Sequence, residues 1–199
     1  REGHRVRIFL DIGAHNGHTV EAVAGMDFDQ IFSFEPMPEQ FAELERRFGH
    51  LPNVTLLPFG LSGATGKRSL YGSNANLEAS VYPTGNTVDE SIVTRCHFVS
   101  ASEWFEANLT DDDEVFAKIN CEGSEVDILN DLVESGEIWK IHAVTICFDV
   151  QNIPGQEHRE WETRQAMEEI GFNVGRWHLF GAAKGPTHKD RILDWMATV

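Results

Sequence analysis

Four stretches carry residues whose types and spacing could do chemistry. In "FLDIGAHNGHTV", residues 9 to 20, an apolar run ends at Asp11 and breaks at Gly13 and Gly17, with His15 between them. Gly13 permits a sharp turn and Gly17 lets a following helix sit tightly against a sheet, so the backbone amides there face a ligand. A dinucleotide loop needs glycine at position 15, where backbone must approach a pyrophosphate; His15 weakens that reading. Asp11 repels a phosphate and suits a cationic or zwitterionic ligand. Glu35, at the end of the apolar run "IFSF", stands where a carboxylate accepts hydrogen bonds from both hydroxyls of a ribose. Together the two carboxylates describe a nucleoside carrying positive charge, and S-adenosylmethionine has that character.

In "VFAKINCEGSEVDIL", residues 115 to 129, Lys118, Asn120 and Glu122 alternate at period two and share one side of a strand end. Glu122 is the favoured group for polarising an acceptor hydroxyl, with an equally weighted structural alternative in which its carboxylate ties the loop to backbone amides. Asp149, at the end of a further apolar run, is placed across the cleft from Asn120. One carboxylate and one amide make a poor cage for a hard dication, so no metal is expected. Tyr71 and Tyr82 are candidates for acceptor contacts. Trp104, Phe105, Trp161, Trp177 and Trp195 are expected in the core.

The elements that must position these groups alternate. The runs 6–10, 31–34, 54–59, 115–119 and 143–148 are almost continuously apolar, as strands covered on both faces must be. Between them Phe41, Leu44 and Phe48, then Val126, Leu129 and Val133, then Thr163, Ala166, Met167 and Ile170 repeat at helical spacing. Ser100 with Glu103 and Ser124 with Asp127 read as capping boxes, and Gly25, Gly49 and Gly171 as helix ends. A βαβα rhythm implies a mostly parallel sheet with helices on both faces and ligands beyond the carboxyl ends of the strands. Residues 172–179 and 191–199 read as two final strands pairing antiparallel. Residues 60–99 interrupt the rhythm with a polar tract, expected to hold a hairpin and either a lid or a plain surface insertion.

Length and composition bound the rest. A chain of 199 residues suits one domain, and 41% hydrophobic residues with 13 phenylalanines and 5 tryptophans indicate a folded core. The formal net charge of −16 argues against a nucleic-acid groove. Three cysteines without CxxC spacing suggest neither a disulfide framework nor a zinc site. No apolar run approaches the ~20 residues of a membrane helix, and no signal-peptide pattern opens the chain, so a cytoplasmic protein is expected.

Three stretches in order resemble the FkbM-type methyltransferases: "FLDIGAHNGHTV" is similar to the family's first motif, "IFSFEPMPEQFAEL" to its second, and "VFAKINCEGSEVDIL" to its signature after the fourth strand. "NVTLLPFGLSG" fits the segment between. The resemblance implies a class I methyltransferase fold, Rossmann-like, with a seven-stranded sheet whose last strand is antiparallel, S-adenosylmethionine as methyl donor, and O-methylation of a small hydroxylated acceptor such as a sugar or polyketide. By matching position it implies that Asp11, Gly13 and Gly17 shape the methionine side, that Glu35 holds the ribose, and that Gly60, Leu61 and Ser62 lie near the adenine or the methionine tail. The family has asparagine where His15 stands and aspartate where Asn120 stands. Two other readings stay open here: a methyltransferase fold that binds without catalysis, and a nicotinamide oxidoreductase.

Overall fold

The structure is a computed structural model that describes residues 5–72, 79–83, 92–173, 175–182 and 185–199. In chain order the elements are β1 (Arg7–Ile12), α1 (His18–Val23), β2 (Gln30–Phe34), α2 (Pro38–Phe48), β3 (Val54–Leu57), β4 (Gly60–Ser62), β5 (Gly66–Tyr71), β6 (Val93–Ser100), α3 (Ala101–Asn108), β7 (Glu114–Ile119), α4 (Glu125–Ser135), β8 (Ile141–Ile146), α5 (His158–Glu169), β9 (Trp177–Leu179) and α6 (His188–Met196). Six strands form the main sheet in the order β3-β2-β1-β7-β8-β9, and every pairing in it is parallel.

Period-two alternation sorts the core into two layers. Ile8, Leu10 and Ile12 of β1 join Val115, Ala117 and Ile119 of β7 in the cluster that holds Phe105, Val126, Leu129 and Met167. Phe9 and Phe116 face the other way, with Val23 of α1 and Ile192 and Trp195 of α6. Both faces are therefore covered, which is why these strands carry almost no polar residues. The buried exceptions are Asp11 and Lys118, directly opposite each other across the β1–β7 register and both on the α1 and α6 face.

The chain leaves β1 toward β2 and β3, and leaves β7 toward β8 and β9. Neighbouring strands β1 and β7 thus send the chain in opposite directions across the sheet, the reversal at which α/β sheets open a ligand crevice.

Two expectations about the sheet change. It has six strands, and residues 191–199 do not form an antiparallel last strand. Instead α6 occupies most of that stretch, and β9 lies parallel to β8. Its physical basis is a capping box at Thr187, whose hydroxyl accepts from the Asp190 amide while the Asp190 carboxylate accepts from Thr187, and the burial of Ile192 and Trp195 one helical turn apart.

The 60–99 tract builds a second sheet in the order β4-β6-β5, with β5 antiparallel to β6 and β4 parallel to it. The remainder of the expected lid, residues 73–78 and 84–91, lies outside the described residues. Among the helix signals, Ser100 caps α3 by accepting from the Glu103 amide, but Ser124 makes no side-chain cap on α4. Trp104, Trp177 and Trp195 are buried as expected, whereas Trp161 is 63% exposed, because α5 turns Thr163 and Met167 inward instead. No helix among the described residues is long and apolar enough to cross a membrane.

Candidate functional site

The loop after β1 is held from two sides. The amides of Gly13 and Ala14 donate to the carbonyl oxygen of Phe34 at 3.2 and 2.9 Å, tying the loop to the end of β2. Gly13 has φ +82°, and a Cβ there would lie 1.9 Å from the carbonyl oxygen of Asn120, so the loops after β1 and β7 meet backbone to backbone. Gly17, also left-handed, presses α1 against α2, where a Cβ would lie 2.3 Å from the Phe48 ring. His15 has φ +50°, a conformation that asparagine and histidine tolerate better than most side chains. Backbone geometry therefore accounts for asparagine as the resembling family's usual residue there.

Glu35 follows β2 and is 5% exposed. Its Oε2 accepts from the His15 amide at 2.7 Å and its Oε1 from the Met37 amide at 2.8 Å. Burial pushes this carboxyl up to about 7, against the opposing pull of those amides and of the Lys118 charge, with Asp11 adding to the rise.

Asp11 does not face the ligand space as the sequence suggested. It is fully buried, its Oδ1 accepts from Lys118 Nζ at 3.1 Å, and its negative charge is matched within the fold. Lys118 Nζ also donates to the Gly13 carbonyl oxygen at 2.5 Å, so the ammonium of β7 fastens the loop after β1.

At the end of β7, Asn120 and Glu122 face the same cavity as Lys118. Asn120 Oδ1 is buried with no hydrogen-bond partner among the described residues. Glu122 has φ +51°, and its carbonyl oxygen accepts from Ser80 Oγ at 2.9 Å. The following Gly123, at φ +106°, lies under the Tyr82 ring, which a Cβ would approach to 2.9 Å. A tie of this loop to backbone amides is made by a residue that sequence reasoning passed over. Glu125, fully buried, accepts from the amides of Gly123 and Val150 at 2.7 and 2.9 Å and from that of Asp149. Burial, then the charge of Asp149, push its carboxyl up to about 7. Cys121, beside it, has a thiol pushed well up by burial, which leaves it no thiolate character for nucleophilic chemistry.

The cavity enclosed by these loops has a volume of ≈ 220 Å³ and opens at the carboxyl ends of β1, β2 and β7. Gly13, His15, Glu35, Gly60, Leu61, Asn120 and Glu122 line it together. Asp11, Gly17, Ser62 and Asp149 do not. Ser62 is buried within β4, and Asp149 sits beyond β8 with Cys147 Sγ 3.2 Å from its Oδ1. No group of three or more His, Cys, Asp or Glu residues among the described residues is arranged to hold a metal. Tyr71 and Tyr82 are not in the lining; the Tyr82 hydroxyl accepts from Arg159 Nη1 at 2.5 Å. Met37, Leu61, Leu70 and Phe98 form an apolar wall, and His18 and His188 were unforeseen members of the lining. Only the apolar period of α6, misread as a strand, carried a signal for His188.

Comparison with known families places this geometry. The family model described as Methyltransferase FkbM domain matches residues 11–174, and the chain belongs to that family. Neither the comparison with curated proteins nor that with solved structures gives a match.

Proposed function

We propose that this FkbM-family methyltransferase takes S-adenosylmethionine as methyl donor and methylates a hydroxyl of a small acceptor, such as a sugar or polyketide. The observation that carries the reading is Glu35: a buried carboxylate lining the crevice at the sheet's reversal point, with one backbone amide on each oxygen. A carboxylate has about four lone-pair sites, so about two remain for a vicinal diol.

The other lining residues fit the same group. The wall of Met37, Leu61, Leu70 and Phe98 suits a purine ring, and the orphaned Asn120 Oδ1 suits an N–H donor. Gly13, bare of Cβ, lets backbone stand close to the ligand. When bound, the donor supplies an electrophilic methyl on a sulfonium.

What remains for the chain is alignment and proton removal. Glu122 is the group we assign to accept the acceptor's hydroxyl proton. Its left-handed backbone and the Ser80 contact hold it on the cavity side of the turn. Asn120, a neutral amide where the family carries a carboxylate, orients without adding charge.

Calorimetric titration tests the reading. S-adenosylmethionine should bind, and Glu35→Gln and Glu35→Ala should weaken it by roughly tenfold or more, the worth of one or two hydrogen bonds to a charged acceptor. Absence of heat with S-adenosylmethionine sinks the reading, and heat with NADH instead revives the oxidoreductase. Unchanged affinity in both variants removes Glu35 from the ribose.

A further inference from the structure

One corner of the cavity has no role in that reading. Three imidazoles line it: His15 from the loop after β1, His18 at the start of α1 and His188 at the start of α6. The His18 and His188 rings have centroids 6.1 Å apart, and His188 Nε2 meets Thr19 Oγ1 at 2.8 Å. The Phe180 ring packs against His188 at 4.7 Å.

The helix that delivers His188 lies outside the segment matched by the family model. It is firmly anchored nonetheless. Its capping box, the burial of Ile192 and Trp195, and the ion pair of Lys189 with Glu21 at 3.0 Å fix its start over α1.

The charge in this corner runs against the rest of the chain. Burial, then the positive charges of Lys118, His18, Arg191 and His15, push His188 down to about 3, so its ring is neutral at pH 7. Burial, the largest of these causes, disfavours any ion, and only the positive charges behind it favour an anion. Apart from Lys118, the other charged side chains of the lining, Glu35 and Glu122, are carboxylates, so the imidazole corner is the part of the cavity that suits an anion. Lys118 is already engaged by Asp11 and the Gly13 carbonyl oxygen, which leaves imidazole N–H groups as the recognising donors.

We propose that His188 and His18 recognise the carboxylate of the cofactor's amino-acid tail, so that the C-terminal helix completes the cofactor site. This rests on the S-adenosylmethionine reading. It makes the binding residues of the chain extend past the family-matched region.

Two nucleosides separate the possibilities. S-adenosylhomocysteine carries the amino-acid tail, 5′-methylthioadenosine lacks it, and both keep the adenosine. Titrated into the unaltered protein, the first should bind more tightly. In His188→Ala, S-adenosylhomocysteine should weaken by roughly tenfold or more while 5′-methylthioadenosine holds its affinity. His18→Ala, on a different helix, should show the same selective loss, which guards against a folding defect in α6. Equal losses for both nucleosides, or unchanged affinity for S-adenosylhomocysteine in both variants, overturn the assignment. If the unaltered protein binds both nucleosides equally well, only this inference fails. If it binds neither, the S-adenosylmethionine reading fails with it.

Discussion

Replacing Gly13 with alanine tests the contact on which the site is built. Two costs add. Alanine at φ +82° carries the left-handed penalty, about 1–2 kcal/mol. The new Cβ would also stand 1.9 Å from the Asn120 carbonyl oxygen and 2.9 Å from its carbonyl carbon. Neither is the end of a flexible side chain, so the loops after β1 and β7 must separate, an overpacking cost of about 1–3 kcal/mol. The sum, about 2–5 kcal/mol, is a large share of the ~5–15 kcal/mol available to a domain. At roughly 2–4 °C per kcal/mol for this size, the melting temperature should drop by about 10 °C. Gly136→Ala is the control, because Gly136 has φ +82° but no atom within 4 Å of its would-be Cβ. That variant carries the backbone penalty alone, partly offset by the lower entropy of its unfolded chain, for a net cost of about 1 kcal/mol. Chemical denaturation of both gives the difference directly. If Gly13→Ala is no more destabilised than Gly136→Ala, the close approach of the two loops is wrong.

Two further outcomes follow from buried charge. Glu125 has its carboxyl raised to about 7 in the fold, so its contribution to stability is full below about pH 4.5 and is lost as pH rises through 7. Glu125→Gln should flatten the decline in unfolding free energy between about pH 4.5 and 8 by up to ~3 kcal/mol, whatever its effect on absolute stability, and an unaltered slope would refute the assignment. Lys118→Met should cost about 3–5 kcal/mol by leaving Asp11 charged and alone in the core, while the double variant Lys118→Met/Asp11→Asn should recover most of that loss in urea denaturation; a double variant no better than the single one removes the ion pair as the cause.

The strands flanking the reversal point were legible because both their faces are covered, which writes them as nearly unbroken apolar runs. The same logic failed at the C-terminus. "RILDWM" holds Ile192, Leu193, Trp195 and Met196, apolar at both one- and three-residue spacing, and a segment of nine residues does not separate the two periods. Thr187 followed three residues later by Asp190 was the deciding signal; at Ser100 the same signal is half met, its hydroxyl accepting from the Glu103 amide while its own amide donates to Thr65 Oγ1. At Ser124 that signal misled, since its backbone is already helical, at φ −86° and ψ −10°, and its hydroxyl makes no cap. Among the residues named from the sequence, Gly13 and Gly17 were visible through what backbone requires, and Glu35 stands in the cavity lining. Glu125 was not visible, because an acidic residue in a helix's first turn looks like a dipole partner whether it lies in water or in the core.

The register of two adjacent strands explains why the site's charges differ from those the sequence suggested. Asp11, next to last in β1, was expected to meet a cation from outside. Parallel pairing places Lys118 directly opposite it, and the two are buried together at 1% and 0% exposure. The charge of Asp11 therefore serves to hold Lys118, and Lys118 in turn holds the Gly13 carbonyl oxygen, so the loop after β1 takes its position from β7. At Asn120, where that loop and the end of β7 touch, the contact is again backbone. The cavity lining then contains two carboxylates, Glu35 and Glu122, one on each side of the sheet's reversal point, and imidazoles from α1 and α6. A substitution at Lys118 thus acts on the loop after β1 before it acts on any ligand, whereas one at Asn120, which meets that loop through backbone, acts through its side chain in the cavity.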